Sequence, residues 1–195
     1  MDAVFLHETE AAVILFDLRG FTRLGATLAP LELGLALSRY YAHCERLIEG
    51  GGGRLVKFAG DAVLGAWLAN ETSRPRGHLG PALAAVAAAR KERGAFLARG
   101  RAEGMPELDH TVAVASGTVL AGHIGTERHK SFDVLGETVN IAFQLAAAAQ
   151  DRGVDHLIAM GRIGDGGGAA AGLVEVEGIE LGGKQVRIHR LAEAS

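Results

Sequence analysis

Aromatic side chains are scarce: seven phenylalanines, two tyrosines and one tryptophan make up 5% of the 195 residues. So few rings weaken a base-stacking role. Lys and Arg number 20 against 23 Asp and Glu, a formal net charge of -3, so no basic footprint argues for nucleic-acid binding. The one cysteine, Cys44, rules out an internal disulfide and suits a reducing, cytoplasmic setting. No apolar stretch reaches the roughly 18 residues of a membrane span. Met1 to Glu10 lacks the basic start and apolar centre of a signal peptide. The eight histidines form no ligand spacing such as His-Glu-x-x-His, which makes them surface or polar-core residues.

What is present is enough to fold. Hydrophobic residues make up 48%, sufficient for a full core, and the length fits one domain, 1–195, with a core over about 11–191. Ala11 to Phe16 reads as a short buried strand ended by Asp and Gly. Pro30 opens a helix, on which Leu33, Leu37, Tyr40, Tyr41, Cys44, Leu47 and Ile48 form one apolar face. The glycine run 50–53 ends it. Arg54 to Phe58 and Ala62 to Leu68 read as strands joined by the turn Ala59-Gly60-Asp61. Pro81 starts an alanine-rich helix to about Arg99. Strands follow over His110 to Ser116, Gly117 to Gly125 and Ser131 to Leu135, then a helix over Gly136 to Gln150. Strands near Leu157 to Met160, Leu173 to Glu177 and Gln185 to Leu191 close the chain, and the run Gly166 to Gly168 reads as a loose loop. The predicted class is α+β with a central, mostly antiparallel sheet flanked by helices.

Two aspartates stand out. Asp17 follows the first apolar run, and Asp61 sits in the hairpin turn. A carboxylate at a strand end and another in a tight turn can face one point. Such a pair is a hard-oxygen site suited to Mg²⁺ or Mn²⁺ bound with a polyphosphate. Alone, either aspartate reads as a turn residue or helix cap.

Four segments then occur in order: Phe16-Asp17-Leu18-Arg19-Gly20-Phe21-Thr22, Lys57-Phe58-Ala59-Gly60-Asp61, Gly117 to Gly125, and Ser131-Phe132-Asp133-Val134-Leu135-Gly136-Glu137-Thr138-Val139-Asn140. Together they resemble the class III nucleotidyl cyclase catalytic domain, over about Ala11 to Leu191. The resemblance implies a ferredoxin-like cyclase fold with active sites between two subunits. Asp17 and Asp61 match its metal-binding aspartates, implying two Mg²⁺ or Mn²⁺ ions per site. Backbone N–H groups along Arg19, Gly20, Phe21 and Thr22 match a phosphate-contacting turn at a helix start. Lys57 and Asp133 match the base-reading positions. An ammonium donates and a carboxylate accepts, which fits adenine N1 and N6, while guanine presents the opposite polarity. Cytosine also offers an acceptor beside an amino donor, so pocket size must separate it from adenine. Asn140 matches the residue that orients the ribose in the transition state.

Two positions depart from the family. The arginine one helical turn after that asparagine, which meets charge on the α-phosphate, is Gln144 here. Losing one such donor typically costs on the order of 10²–10³ in rate. Near the C-terminus a basic triphosphate contact is replaced by Gly182, with Lys184 close by as a substitute. The pattern is compatible with a slow enzyme, a different substrate pose or a lapsed one. Three readings stay open: an adenylate cyclase acting on ATP, a weakly active cyclase-homology module that binds nucleotide or dimerises, and a cyclase for another base such as cytosine. The expected assembly is a head-to-tail homodimer, with Ala121 to Ser131 as the arm reaching the partner. No sensor domain is recognisable, so regulation is expected from a partner or from elsewhere in a longer protein.

Overall fold

The computed structural model describes residues 6–71, 77–160, 172–181 and 183–192. Its elements run β1 (Leu6–Leu18), α1 (Phe21–Thr27), α2 (Pro30–Gly50), β2 (Arg54–Ala59), β3 (Ala62–Leu68), α3 (Leu79–Ala102), β4 (His110–Gly125), β5 (Lys130–Leu135), α4 (Glu137–Asp151), β6 (His156–Met160), β7 (Leu173–Leu181) and β8 (Lys184–Leu191). The strands form one sheet in the order β2-β3-β1-β4-β6-β8-β7, with β5 paired to β4. Every pairing is antiparallel except β4 with β6, so the α+β class and the mostly antiparallel sheet hold.

β1 is central because its middle is apolar on both faces. Ala11 to Phe16 are all buried, and strand alternation divides them between two cores. Ala11, Val13 and Leu15 pack with Leu64, Ala66 and Leu68 of β3 beneath Ala142, Leu145, Ala146 and Ala149 of α4. Ala12, Ile14, Phe16 and Leu18 pack beneath α2 and α3, against Tyr40, Cys44, Ile48, Val86 and Ala89. Each large aliphatic side chain so covered contributes about 1.5–3 kcal/mol. Cys44 is fully buried, and burial pushes its thiol well above the ordinary range, so it acts as core. Trp67, also buried, donates its indole N–H to the Gly51 carbonyl at 2.9 Å and ties the end of α2 to β3.

Most elements lie where the residue pattern put them, but α1 was not placed by it and several elements run longer, β7 by four residues to Leu181. β1 begins at Leu6, because Leu6 to Glu10 pair with Thr118 to Gly122 of β4. These residues are largely polar and exposed, so no apolar run marked them. β4 is a single strand through Gly117 for the same reason: β1 runs beside its whole length. α3 begins at Leu79, with Pro81 inside its first turn, where a missing N–H costs nothing. Of the histidines, His43, His78, His110, His156 and His189 are buried and His7, His123 and His129 are exposed. Gly166 to Gly168 and Gly182 lie outside the described residues.

Candidate active site

The site forms where β1 ends. Asp17 is the penultimate residue of β1, opposite Ala62 of β3. Alternation puts it on the Val13 and Leu15 face, under α4. The β2–β3 turn comes to the same place, and the Leu18 N–H donates to the Asp61 carbonyl at 3.3 Å. Gly60 takes φ +66° in that turn, a conformation suited to glycine. Tyr41 of α2 donates its hydroxyl to the Gly60 carbonyl and stacks on Phe58, ring centroids 4.3 Å apart.

The two carboxylates interact. Burial first, and then the Asp61 charge, raise the Asp17 carboxyl to about 6, opposed by a hydrogen bond from the Gln150 side-chain amide to Asp17 Oδ2. Neither aspartate is paired with a lysine or arginine among the described residues. No cluster of three or more His, Cys, Asp or Glu gathers among those residues. A half-buried carboxylate pair short of positive charge fits a hard divalent cation that takes its other ligands from substrate and water.

Lys57 reaches this face through an irregularity. Arg54 and Leu55 lie opposite Ala66 and Gly65, but Lys57 lies opposite Leu64, so one extra residue is accommodated at Val56. In a regular strand Leu55 and Lys57 would share a face. The bulge lets Leu55 pack with the α2 side while Lys57 turns to the side of Leu64 and α4. Lys57 Nζ then donates to Asp133 Oδ2 at 2.8 Å, and Asp133 Oδ1 accepts the Val134 N–H at 2.8 Å. A second contact joins β2 to β5: the Arg54 guanidinium lies 4.4 Å from the Phe132 ring centroid.

The strand-to-helix turn is occupied in part. Arg19 is not available to a ligand, since its N–H donates to the Asp109 carbonyl at 2.8 Å and its side chain to the Val154 carbonyl at 2.5 Å. The Arg19 part of the expected phosphate turn is therefore corrected: that residue fastens the end of β1 to neighbouring elements. Gly20, at φ +67°, caps the start of α1, and its carbonyl accepts from Arg23 and Leu24. The N–H groups of Phe21 and Thr22 come ahead of those bonds, at the helix start.

Asn140 and Gln144 lie one turn apart on α4, both exposed. Lys184 is also exposed and pairs with Glu137 at 2.6 Å. Asn140 does not converge on Asp17. Asn140 lies nearly three turns before Gln150, about 15 Å along the axis at 1.5 Å per residue. Two contacts went unread in the sequence: Gln150 read only as a helix end, and Tyr41 as part of an apolar face. Nothing in their spacing pointed to the aspartates.

A sheet of this order, with Asp17 at the end of β1, Asp61 in the adjoining β2–β3 turn and Lys57 paired to Asp133, is that of a nucleotide cyclase type of domain. The family model described as the adenylate and guanylate cyclase catalytic domain matches residues 6–159, and the chain belongs to that family. It is 26% identical over 148 residues to adenylate cyclase 1 of Rhizobium meliloti (strain 1021), covering 76% of this chain and 22% of that protein. It is 32% identical over 145 residues to Rv1319c of Mycobacterium tuberculosis, covering 74% of this chain and 25% of that one. The chain thus spans about a quarter of the length of the curated relatives it matches. The fold is similar to that of the adenylyl cyclase CyaB from P. aeruginosa, with TM-score 0.80, 21% identity and 97% of each chain covered. It is also similar to the guanylyl cyclase Cya2, with TM-score 0.78, 19% identity and 97% and 94% covered.

Proposed function

We propose that this chain is the catalytic unit of an adenylate cyclase, converting ATP to cyclic AMP and pyrophosphate within a head-to-tail pair of identical chains. The observation that carries the reading is the Lys57–Asp133 pair, an ammonium and a carboxylate held together at 2.8 Å. Adenine entering there takes the Lys57 donor on N1 and gives its N6 amino hydrogen to Asp133. Asp133 is already oriented by the Val134 N–H, so little rearrangement is needed. Guanine would set N1–H against an ammonium and O6 against a carboxylate, leaving both unpaired.

In the reaction the ribose 3′-oxygen bonds to the α-phosphorus, the bond to the pyrophosphate oxygen breaks, and the hydroxyl proton is released. Asp17 and Asp61 would hold two Mg²⁺ or Mn²⁺ ions, which when bound neutralise the triphosphate and acidify the 3′-hydroxyl. Phe21 and Thr22 offer N–H groups to phosphate oxygens, Asn140 orients the ribose, and Lys184 meets the triphosphate after leaving Glu137. The separation along α4 supports the two-chain arrangement. Asn140, nearly three turns from Gln150, lies far along α4 from the Asp17 of its own chain, so in this reading each site takes its aspartates from one chain and Asn140 and Gln144 from the other. The β4–β5 hairpin, closed by paired backbone bonds between Thr126 and His129, is the arm that would cross to the partner.

A second reading rests on Gln144, which offers no charge at the arginine position: a domain that binds nucleotide and dimerises but turns over little. A third keeps the chemistry and takes CTP. Mass spectrometry of products from ATP, GTP, CTP and UTP with Mn²⁺ separates them. Cyclic AMP as the main product supports the proposal; cyclic CMP, or nucleotide binding without product, selects one of the others.

A further inference from the structure

The end of α4 is sewn to the end of β1. Gln150 donates to Asp17 Oδ2, and the Val154 carbonyl just past the helix accepts from Arg19. The helix behind Gln150 is anchored by buried Ala146 and Ala149, and the Val154 N–H closes it on the Ala149 carbonyl at 3.0 Å. Gln150 is therefore a fixed donor, not a wandering surface side chain. Its chemistry matters too. A lysine or arginine there would form an ion pair with Asp17 and oppose a cation. A neutral amide fixes one carboxylate oxygen, leaves the other free and keeps the negative charge for a metal. Outer partners of this kind orient the groups that bind the ion.

We propose that Gln150 is a positioning residue that holds the Asp17 carboxylate in its metal-binding orientation. The inference rests on the assignment of Asp17 to the metals under the proposed function. The test is Mn²⁺ binding by the full chain with 2′,3′-dideoxy-ATP, which supplies phosphate ligands and has no 3′-hydroxyl to react, followed by electron paramagnetic resonance. The proteins are wild type, Gln150→Met, Gln150→Leu, Asp17→Asn and the Asp17→Asn/Gln150→Met double variant. Met and Leu keep apolar volume and remove the donor, so either serves if the other fails to fold.

The expected result is a 10–100-fold weaker Mn²⁺ affinity in the Gln150 variants. Their melting temperatures should stay near wild type, and Gln150→Met should add no loss on the Asp17→Asn background. Affinity within twofold of wild type in the Gln150 variants, while Asp17→Asn binds measurably more weakly, overturns this inference alone. So does an equal Gln150→Met loss on the Asp17→Asn background. A wild type that binds no Mn²⁺, or an Asp17→Asn that binds like wild type, overturns the metal assignment and this inference with it.

Discussion

Lys57 of β2 and Asp133 of β5 meet at 2.8 Å although their strands share no ladder, β2 pairing with β3 and β5 with β4. A donor and an acceptor placed side by side read the polarity of a base edge. Exchanging them should exchange the base. Lys57→Glu with Asp133→Cys is expected to weaken ATP use and favour GTP, measured as kcat/KM for each. A wild type that already prefers GTP contradicts this reading of the pocket.

The Asp17 carboxyl, raised to about 6, makes a statement about stability. Its folded value lies above the ordinary 3.8, so ionising it costs folding energy. The cost is absent below about pH 4, grows as pH rises to 6 and is fully present above. Asp17→Asn should therefore raise the melting temperature of the metal-free protein at pH 8 and leave it little changed relative to wild type at pH 4. The same variant, like Asp61→Ala, should lose cyclase activity. Thermal scans across pH and a product assay check both; a variant no more stable at pH 8 refutes the electrostatic account of Asp17.

Complementation tests the assembly. Asp61→Ala and Asn140→Ala chains should each be inactive alone, and mixing them should restore activity, because one hybrid site receives both intact halves. Of the dimers in a random equal mixture about half are hybrids, each with one good site, so recovery should approach a quarter of wild type if the Asn140→Ala and Asp61→Ala chains exchange freely. No recovery under exchange, or full activity from a monomer on dilution, argues against the two-chain site.

Gln144 is one of the two positions at which the sequence departs from the pattern of the family it resembles. If an uncharged side chain leaves the α-phosphate charge unmet, Gln144→Arg should raise kcat, by up to about 10²-fold, with little change in apparent ATP affinity. Gln144 is exposed, so a longer side chain has room. Cyclic-nucleotide formation and calorimetric ATP binding on both proteins decide the matter. Two silent proteins that still bind ATP refute the enzyme reading.

Much of the architecture was written locally. Apolar runs, a proline at a helix start and a glycine in a tight turn act over a few residues, so the strand Ala11 to Phe16, helix α2 and the β2–β3 hairpin could be placed from their residues. Asp17 and Asp61 could be picked out by their places at a strand end and in a turn, whereas Lys57, Asp133 and Asn140 were named by the resemblance of short segments to a family. Tertiary structure decided which of them meet. The bulge at Val56 turns Lys57 to the α4 side, and no composition marks it, because it depends on pairing with β3. Polar residues 7–10 become strand only because β4 runs alongside. Arg19, within a motif, is drawn to Val154 and Asp109, while Gln150, within none, finds Asp17. A local pattern fixes which face a side chain lies on only where its strand stays regular, and the pairing and packing of distant elements fix the rest and what each side chain touches.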